Sequence, residues 1–294
     1  MVTTLAPDRV SADTAARRGR RAVRASRLGA ILLGLALLAI MLFPVYWLFA
    51  SSMETSQQIF TTPPFLVPPT PTLASYGTAL GVLGRSLVNS VAIAVGTMLL
   101  SLVLGAPAAY AMAHLRLRLT LALLLVMLIT QMFPSVMMAT PLFIIYNHIH
   151  LVNTYPGLIL ADSITAVPFV VLVLRAYMLT IPFELTEAAM VDGTGYWGAF
   201  LRVILPVATP GLATAALFTF LNAWRDFTYG LTLTTPGSDI QPVTLGLYNF
   251  VQQHNTEWNN LMAGGVLTSL PAIVLLLGAQ RYISAGLTAG AVKG

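Results

Sequence analysis

Few residues in this chain of 294 can do chemistry: it has ten carboxylates, four histidines and no cysteine. The densest carboxylate group is Glu184, Glu187 and Asp192, set around Ala188 and Ala189 and ending at Gly193. No nucleophile or imidazole stands beside these carboxylates at usable spacing, so their chemistry is ion pairing with another molecule's basic groups, not proton transfer. His148 and His150 lie two apart without a third ligand nearby, which argues against a metal centre. The absence of cysteine excludes thiolate catalysis, disulfides and cysteine-ligated clusters. No phosphate-cradling G-x-x-x-x-G-K-[ST] loop occurs, so no nucleotide cofactor is expected in this chain. Two other polar groups stand out: Asn222, Trp224, Arg225 and Asp226 late in an apolar run, and Gln252, Gln253, His254 and Asn255 in a polar stretch.

The elements that position these residues are membrane spans. The chain is 57% hydrophobic and 9% charged with mean hydropathy +0.81, against roughly 25% charged residues in soluble domains. Six apolar runs reach the ~20 residues a spanning helix needs: 28–50, 87–111, 119–145, 158–178, 207–229 and 261–282. The runs do not alternate as barrel strands do, and helices satisfy their own backbone groups in lipid, so an all-α integral membrane bundle is expected. Pro107, Pro134, Pro141, Pro168 and Pro271 lie within the runs and predict kinks.

Charge sets the orientation. Seven arginines, from Arg9 to Arg27, precede the first run, which at 23 residues is too long for a cleavable signal core. If both termini face the cytoplasm, only Arg85 and Arg225 of the fifteen basic residues fall on or near the outer side. That bias predicts N-in and C-in, with residues 1–27 a cytoplasmic Arg-rich tail and 28–294 one six-helix transmembrane domain. Residues 51–86 carry Pro63, Pro64, Pro68, Pro69 and Pro71 and are expected to form an extended outer loop. Residues 230–260 form the last outer loop; both are connectors or docking surfaces for a soluble partner.

On the inner side, the connection 179–206 contains the carboxylate group. Pro182 should open a short helix with Glu184 and Glu187 in its first turn; Gly193 should end it, and Thr194 should cap a second helix from Tyr196. Amphipathicity alone reads this elbow as a helix lying on lipid headgroups. Such anchors favour Lys and Arg on the polar face, whereas this one displays carboxylates, and its paired alanines leave room for another protein's backbone.

The order Glu187-Ala188-Ala189, three residues, Gly193, nine residues, then Val203, one residue and Leu205-Pro206 resembles the EAA loop of ABC-importer permeases. More of the chain resembles the carbohydrate branch, in particular the maltose-type second permease. The carriers are Asn89-Ser90, Pro141-Leu142-Phe143, the run from Leu151 to Leu160, Ile181-Pro182, and the ending Gly286-Leu287-Thr288-Ala289-Gly290-Ala291-Val292-Lys293-Gly294. The resemblance implies a type I importer permease fold in a bacterial cytoplasmic membrane, with the elbow as a coupling helix held by an ATPase subunit. It implies that Glu184, Glu187, Ala188, Ala189, Asp192, Gly193, Leu205 and Pro206 serve coupling. Glu187 would be the charged contact and the alanines the close-packed face. It also implies that the tail 286–294 reaches the ATPases through Leu287, Thr288, Gly290 and Lys293.

The partners implied are a second permease, two nucleotide-binding subunits that hold ATP and magnesium, and an external binding protein; no nucleic acid is expected. Asn89, Asn222, Trp224 and Arg225 are candidates for the translocation cavity, and Gln252, Gln253, His254 and Asn255 for the face toward the binding protein. Arg225 replaces the family's usual asparagine. An arginine within a span costs about 2.5 to 3.5 kcal/mol unless paired or wet, so it serves either substrate binding or structure, with Asp226 beside it as a compensator. The alternatives are a self-sufficient secondary carrier, disfavoured because no span is expected to contain a buried acidic pair, and a membrane enzyme, for which no catalytic constellation exists. Asp162 reads as a solvated residue at the outer end of its span.

Overall fold

The computed structural model describes residues 9–115, 118–235, 237–253 and 257–291, with side chains described for Arg27 and, within those segments, for 29–251 and 257–280. Among them every regular element is helical. Helix α1 (Arg9–Ser52) carries the first span, Gly29–Ser52, and continues N-terminally through the described part of the arginine-rich tail. Helix α2 (Ala74–His114) is the central element, packed against α5 (Tyr155–Met178), α9 (Thr209–Trp224) and α12 (Trp258–Ala291). Four helices are long and apolar enough to cross a membrane, and two bent pairs raise the number to six.

One of those pairs corrects the expected third span. The run 119–145 is two helices, α3 (Thr120–Met132) and α4 (Ser135–His148), at 97° to each other. Pro134 has no N–H to donate, and Phe133 before it is extended with ψ 121°, the conformation that a following proline favours. Pro107, Pro141, Pro168 and Pro271 instead lie inside helices that run on past them.

Both loops expected on the outer side are more ordered than composition suggests. Helix α2 starts at Ala74, thirteen residues before the expected span, so the extended connection is short. The polar stretch after α9 contains α10 (Thr228–Leu233) and α11 (Val243–Gln253), where a loop was expected. Asn153 ties this region to the start of α5: it takes φ 58°, its Oδ1 accepts from the Thr235 N–H at 2.8 Å, and its Nδ2 donates to Thr235 Oγ1 at 2.8 Å. Thr154 then caps α5, its hydroxyl accepting from the Gly157 N–H at 3.0 Å. Near the same end, Arg85 pairs with Asp239 at 2.8 Å.

The main apolar core lies toward the opposite end, where Ala106, Ala109 and Tyr110 of α2 meet Val170, Leu174 and Met178 of α5. Small residues allow the approach: a Cβ on Gly105 would come within 2.6 Å of Val170 Cγ1. Helix α1 touches mainly α12 and leaves its apolar residues exposed, as a lipid-facing span would.

Candidate functional site

The elbow grows directly out of that core. Met178 and Ile181 are buried in it, and the chain turns at Leu179 into helix α6 (Glu184–Val191), which starts two residues after Pro182. Thr186 and Ala189, three residues apart on one face of α6, are 0% and 6% exposed. The other face carries Glu184, Glu187, Ala188 and Val191, all exposed, and neither glutamate pairs with a described residue. The alanine pair is therefore split: Ala188 faces outward, whereas Ala189 packs against the bundle.

Gly193 takes φ +86°, the left-handed geometry that ends the helix after Asp192. Thr194 does not cap the next helix, as had been expected. Its hydroxyl donates back to the Ala189 carbonyl at 2.6 Å and closes the end of α6, leaving Gly195 as the flanking residue of α7 (Tyr196–Ala199). A π turn (Phe200–Ile204) and the short α8 (Leu205–Val207) follow, bending by 78° into α9. Leu205 packs on the core and Pro206 is exposed. Exposed Trp197 on α7 lies tilted against Phe200, with ring centroids 5.2 Å apart.

His114 roots α6 in the bundle, a role that the sequence reading missed. It closes α2, is 7% exposed, and lies between Tyr110 at 5.2 Å and Phe183 at 5.6 Å. Its Nε2 is 3.3 Å from the Met178 carbonyl and its Nδ1 is 3.5 Å from the Thr186 hydroxyl. One imidazole thus meets the ends of α2 and α5 and the inner face of α6. The signal in sequence was only a histidine at a span end, with nothing to say what lies across from it.

Of the four candidate cavity residues, the structure brings together two. Asn222 and Arg225 line a cavity of about 480 Å³, and both are exposed at its rim. Asn89 instead joins helix to loop: Nδ2 donates to the carbonyls of Asp239 at 2.8 Å and Gln241 at 3.0 Å, and Oδ1 accepts from the Tyr155 hydroxyl at 2.6 Å. Trp224 is 7% exposed, and its indole N–H donates to the Thr268 carbonyl at 3.2 Å, tying α9 to α12. Asp226 does not pair with Arg225: its Oδ2 accepts from the N–H groups of Tyr229 at 3.0 Å and Gly230 at 3.2 Å, at the start of α10.

The same cavity overturns two readings. Asp162 is not a solvated end residue but is 8% exposed, and both it and Asp226 line the cavity, so a largely buried acidic pair does exist. The two aspartates are 64 positions apart, and only the packing of α5 against the α9–α10 junction brings them together.

Leu287, Thr288 and Gly290 fall on the last turns of α12, their side chains outside the described residues, and Lys293 lies wholly outside them. Gln252 and Gln253 end α11 with side chains outside the described set; His254 and Asn255 are outside it altogether. No group of three or more potential metal ligands occurs among the described residues.

Residues 101–289 match the family described as binding-protein-dependent transport system inner membrane component. The trehalose transport system permease protein SugB of Mycobacterium tuberculosis is 39% identical over 278 residues, covering 94% of this chain and 99% of its own length. The diacetylchitobiose uptake system permease protein NgcG of Streptomyces coelicolor is 32% identical over 258 residues, covering 86% of this chain and 85% of its own. A chain from a bacterial ABC transporter that imports the acidic polysaccharide alginate superposes with TM-score 0.75 at 22% identity, over 90% of this chain and 98% of that one.

Proposed function

This chain belongs to the binding-protein-dependent transport system inner membrane components, and on that premise we propose that it carries a di- or oligosaccharide into a bacterial cell as one of two permeases in an ABC importer. It is a multi-pass membrane protein and a transport subunit. ATP and magnesium are held by two partner ATPases, the sugar arrives on an extracytoplasmic binding protein, and the elbow faces the cytoplasm. Trehalose and diacetylchitobiose, the substrates named for two relatives, are the first sugars to test.

The observation that carries the reading is the two-faced helix α6. Its inner face is rooted on His114 through Thr186, and its outer face offers Glu184, Glu187, Ala188 and Val191, with exposed Trp197 on the following helix. Carboxylates around an apolar patch suit a protein cleft with basic walls. Closure of the ATPases would then pull on α6, and the pull would pass to the ends of α2 and α5.

The test is reconstitution of the chain with its second permease, ATPases and binding protein in proteoliposomes. Sugar uptake that requires ATP, the binding protein and the ATPases is the expected result. Uptake by this chain alone, driven by an ion gradient, would sink the proposal.

A further inference from the structure

We infer that Asp162, Thr97 and Tyr229 form a carbohydrate-hydroxyl subsite within this chain, so that the subunit grips the passing sugar itself; the inference rests on the sugar-importer reading above. All three line the 480 Å³ cavity, with exposures of 8%, 0% and 2% respectively. The hydroxyls of Thr97 and Tyr229 have no hydrogen-bond partner, and the Asp162 carboxylate accepts from no described residue. An unpaired buried polar group costs about 1 to 3 kcal/mol. Two such hydroxyls and a carboxylate on the wall of one cavity call for a ligand that supplies both donors and acceptors.

Helix geometry points to the same place. The cavity lies where α3 breaks into α4, reached by Gln131 and Ser135, and where α9 gives way to α10, reached by Asn222 and Thr228. Irregular backbone at membrane depth is tolerated where it lines a cavity, and interrupted helices surround the substrate in many transporters. Gln131 is itself tied across to α5, its Nε2 donating to the Thr165 carbonyl at 3.0 Å, which holds the α3 end of the break in place.

The lining chooses the ligand. Each sugar hydroxyl both donates and accepts, so one can donate to Asp162 while others meet Thr97 and Tyr229, and Phe169 offers a ring to an apolar sugar face. The volume falls within the roughly 300 to 1,000 Å³ of small-molecule sites. A bare cation fits less well, because Arg225 lines the same cavity and one Asp226 oxygen already accepts two backbone N–H groups.

The experiment uses the complete reconstituted transporter with trehalose and diacetylchitobiose, then monodeoxy analogues of whichever is carried. Asp162→Asn, Thr97→Val and Tyr229→Phe are each expected to lower sugar uptake per ATP by about three- to tenfold. Thr219→Val also removes a buried unpartnered hydroxyl, but one outside the cavity, and should transport normally. The decisive readout is the cycle between protein and sugar. An analogue that loses a given factor in the wild type should lose none in the variant lacking its partner. If every analogue is penalised equally in wild type and variants, the three groups do not touch the sugar and the inference fails, however slow the variants are. If Asp162→Asn instead removes a sodium or proton dependence and leaves the analogue pattern unchanged, the site holds a cation and the inference fails. A wild-type complex that hydrolyses ATP yet carries no di- or oligosaccharide overturns the substrate class first, before any substitution is made, and the subsite with it.

Discussion

The Nδ1 of His114, at the end of α2, lies 3.5 Å from the hydroxyl of Thr186, on the inner face of α6. This pair joins a spanning helix to the elbow. Thr186→Val keeps the shape and removes the polar group, at a cost of about 0.5 to 1.5 kcal/mol for the lost hydrogen bond. Sugar carried per ATP should fall by about two- to tenfold while ATPase subunits still co-purify, which a proteoliposome assay with a phosphate-release readout measures.

Glu187 stands exposed on the opposite face of α6. Glu187→Lys replaces an attractive contact with a like-charge one and should weaken ATPase retention by about tenfold or more, while Glu187→Gln is milder. Pull-down from detergent at rising salt checks this. Equal retention of wild type and the lysine variant would remove α6 from the ATPase interface.

Gly193 at φ +86° makes the turn between α6 and α7. Gly193→Ala forces a side chain into the left-handed region at about 1 to 2 kcal/mol. Gly195→Ala, in open space with φ −79°, should cost far less. Thermal melting of the purified complex should separate the two, and the Gly193 variant should also transport less sugar per ATP.

Removal of residues 287–294 should leave the spans inserted, because the apolar stretch Trp258–Gln280 lies wholly before them, yet reduce coupling between ATP hydrolysis and uptake. Wild-type coupling after truncation would show that the tail does not serve the ATPases.

Burial raises the Glu54 carboxyl above the usual carboxylate range, and the residue is 3% exposed beside Trp47 and Trp258. Between the unfolded and the raised folded value the native state binds more protons, so this group's contribution to stability falls as pH rises through that window. Glu54→Gln should flatten the melting profile over that window, which opens just above the ordinary carboxylate value. An unchanged profile would show that Glu54 does not titrate in that window.

Much of this molecule is legible in one dimension because lipid demands long apolar helices and leaves few polar residues to explain. Part of the elbow could be read: the helix with Glu184 and Glu187 in its first turn and the stop at Gly193 follow from local backbone geometry, whereas the cap expected of Thr194 did not hold. The break at Pro134 was half legible: the proline announced a kink, but the angle depends on what α3 and α4 pack against.

What sequence alone determined is the class of machine: helical spans and an elbow whose pattern matches importer permeases. Only tertiary structure decided which polar residues meet. Asp162 and Asp226, or His114 and Thr186, lie far apart along the chain, and their pairing depends on the rotation and register of packed helices. Hydropathy is a sum over a segment and holds no information about the direction in which one side chain points. For that reason the split of Ala188 from Ala189, the structural use of Asn89 and Trp224, and the cavity between two broken helices became visible only in the folded bundle.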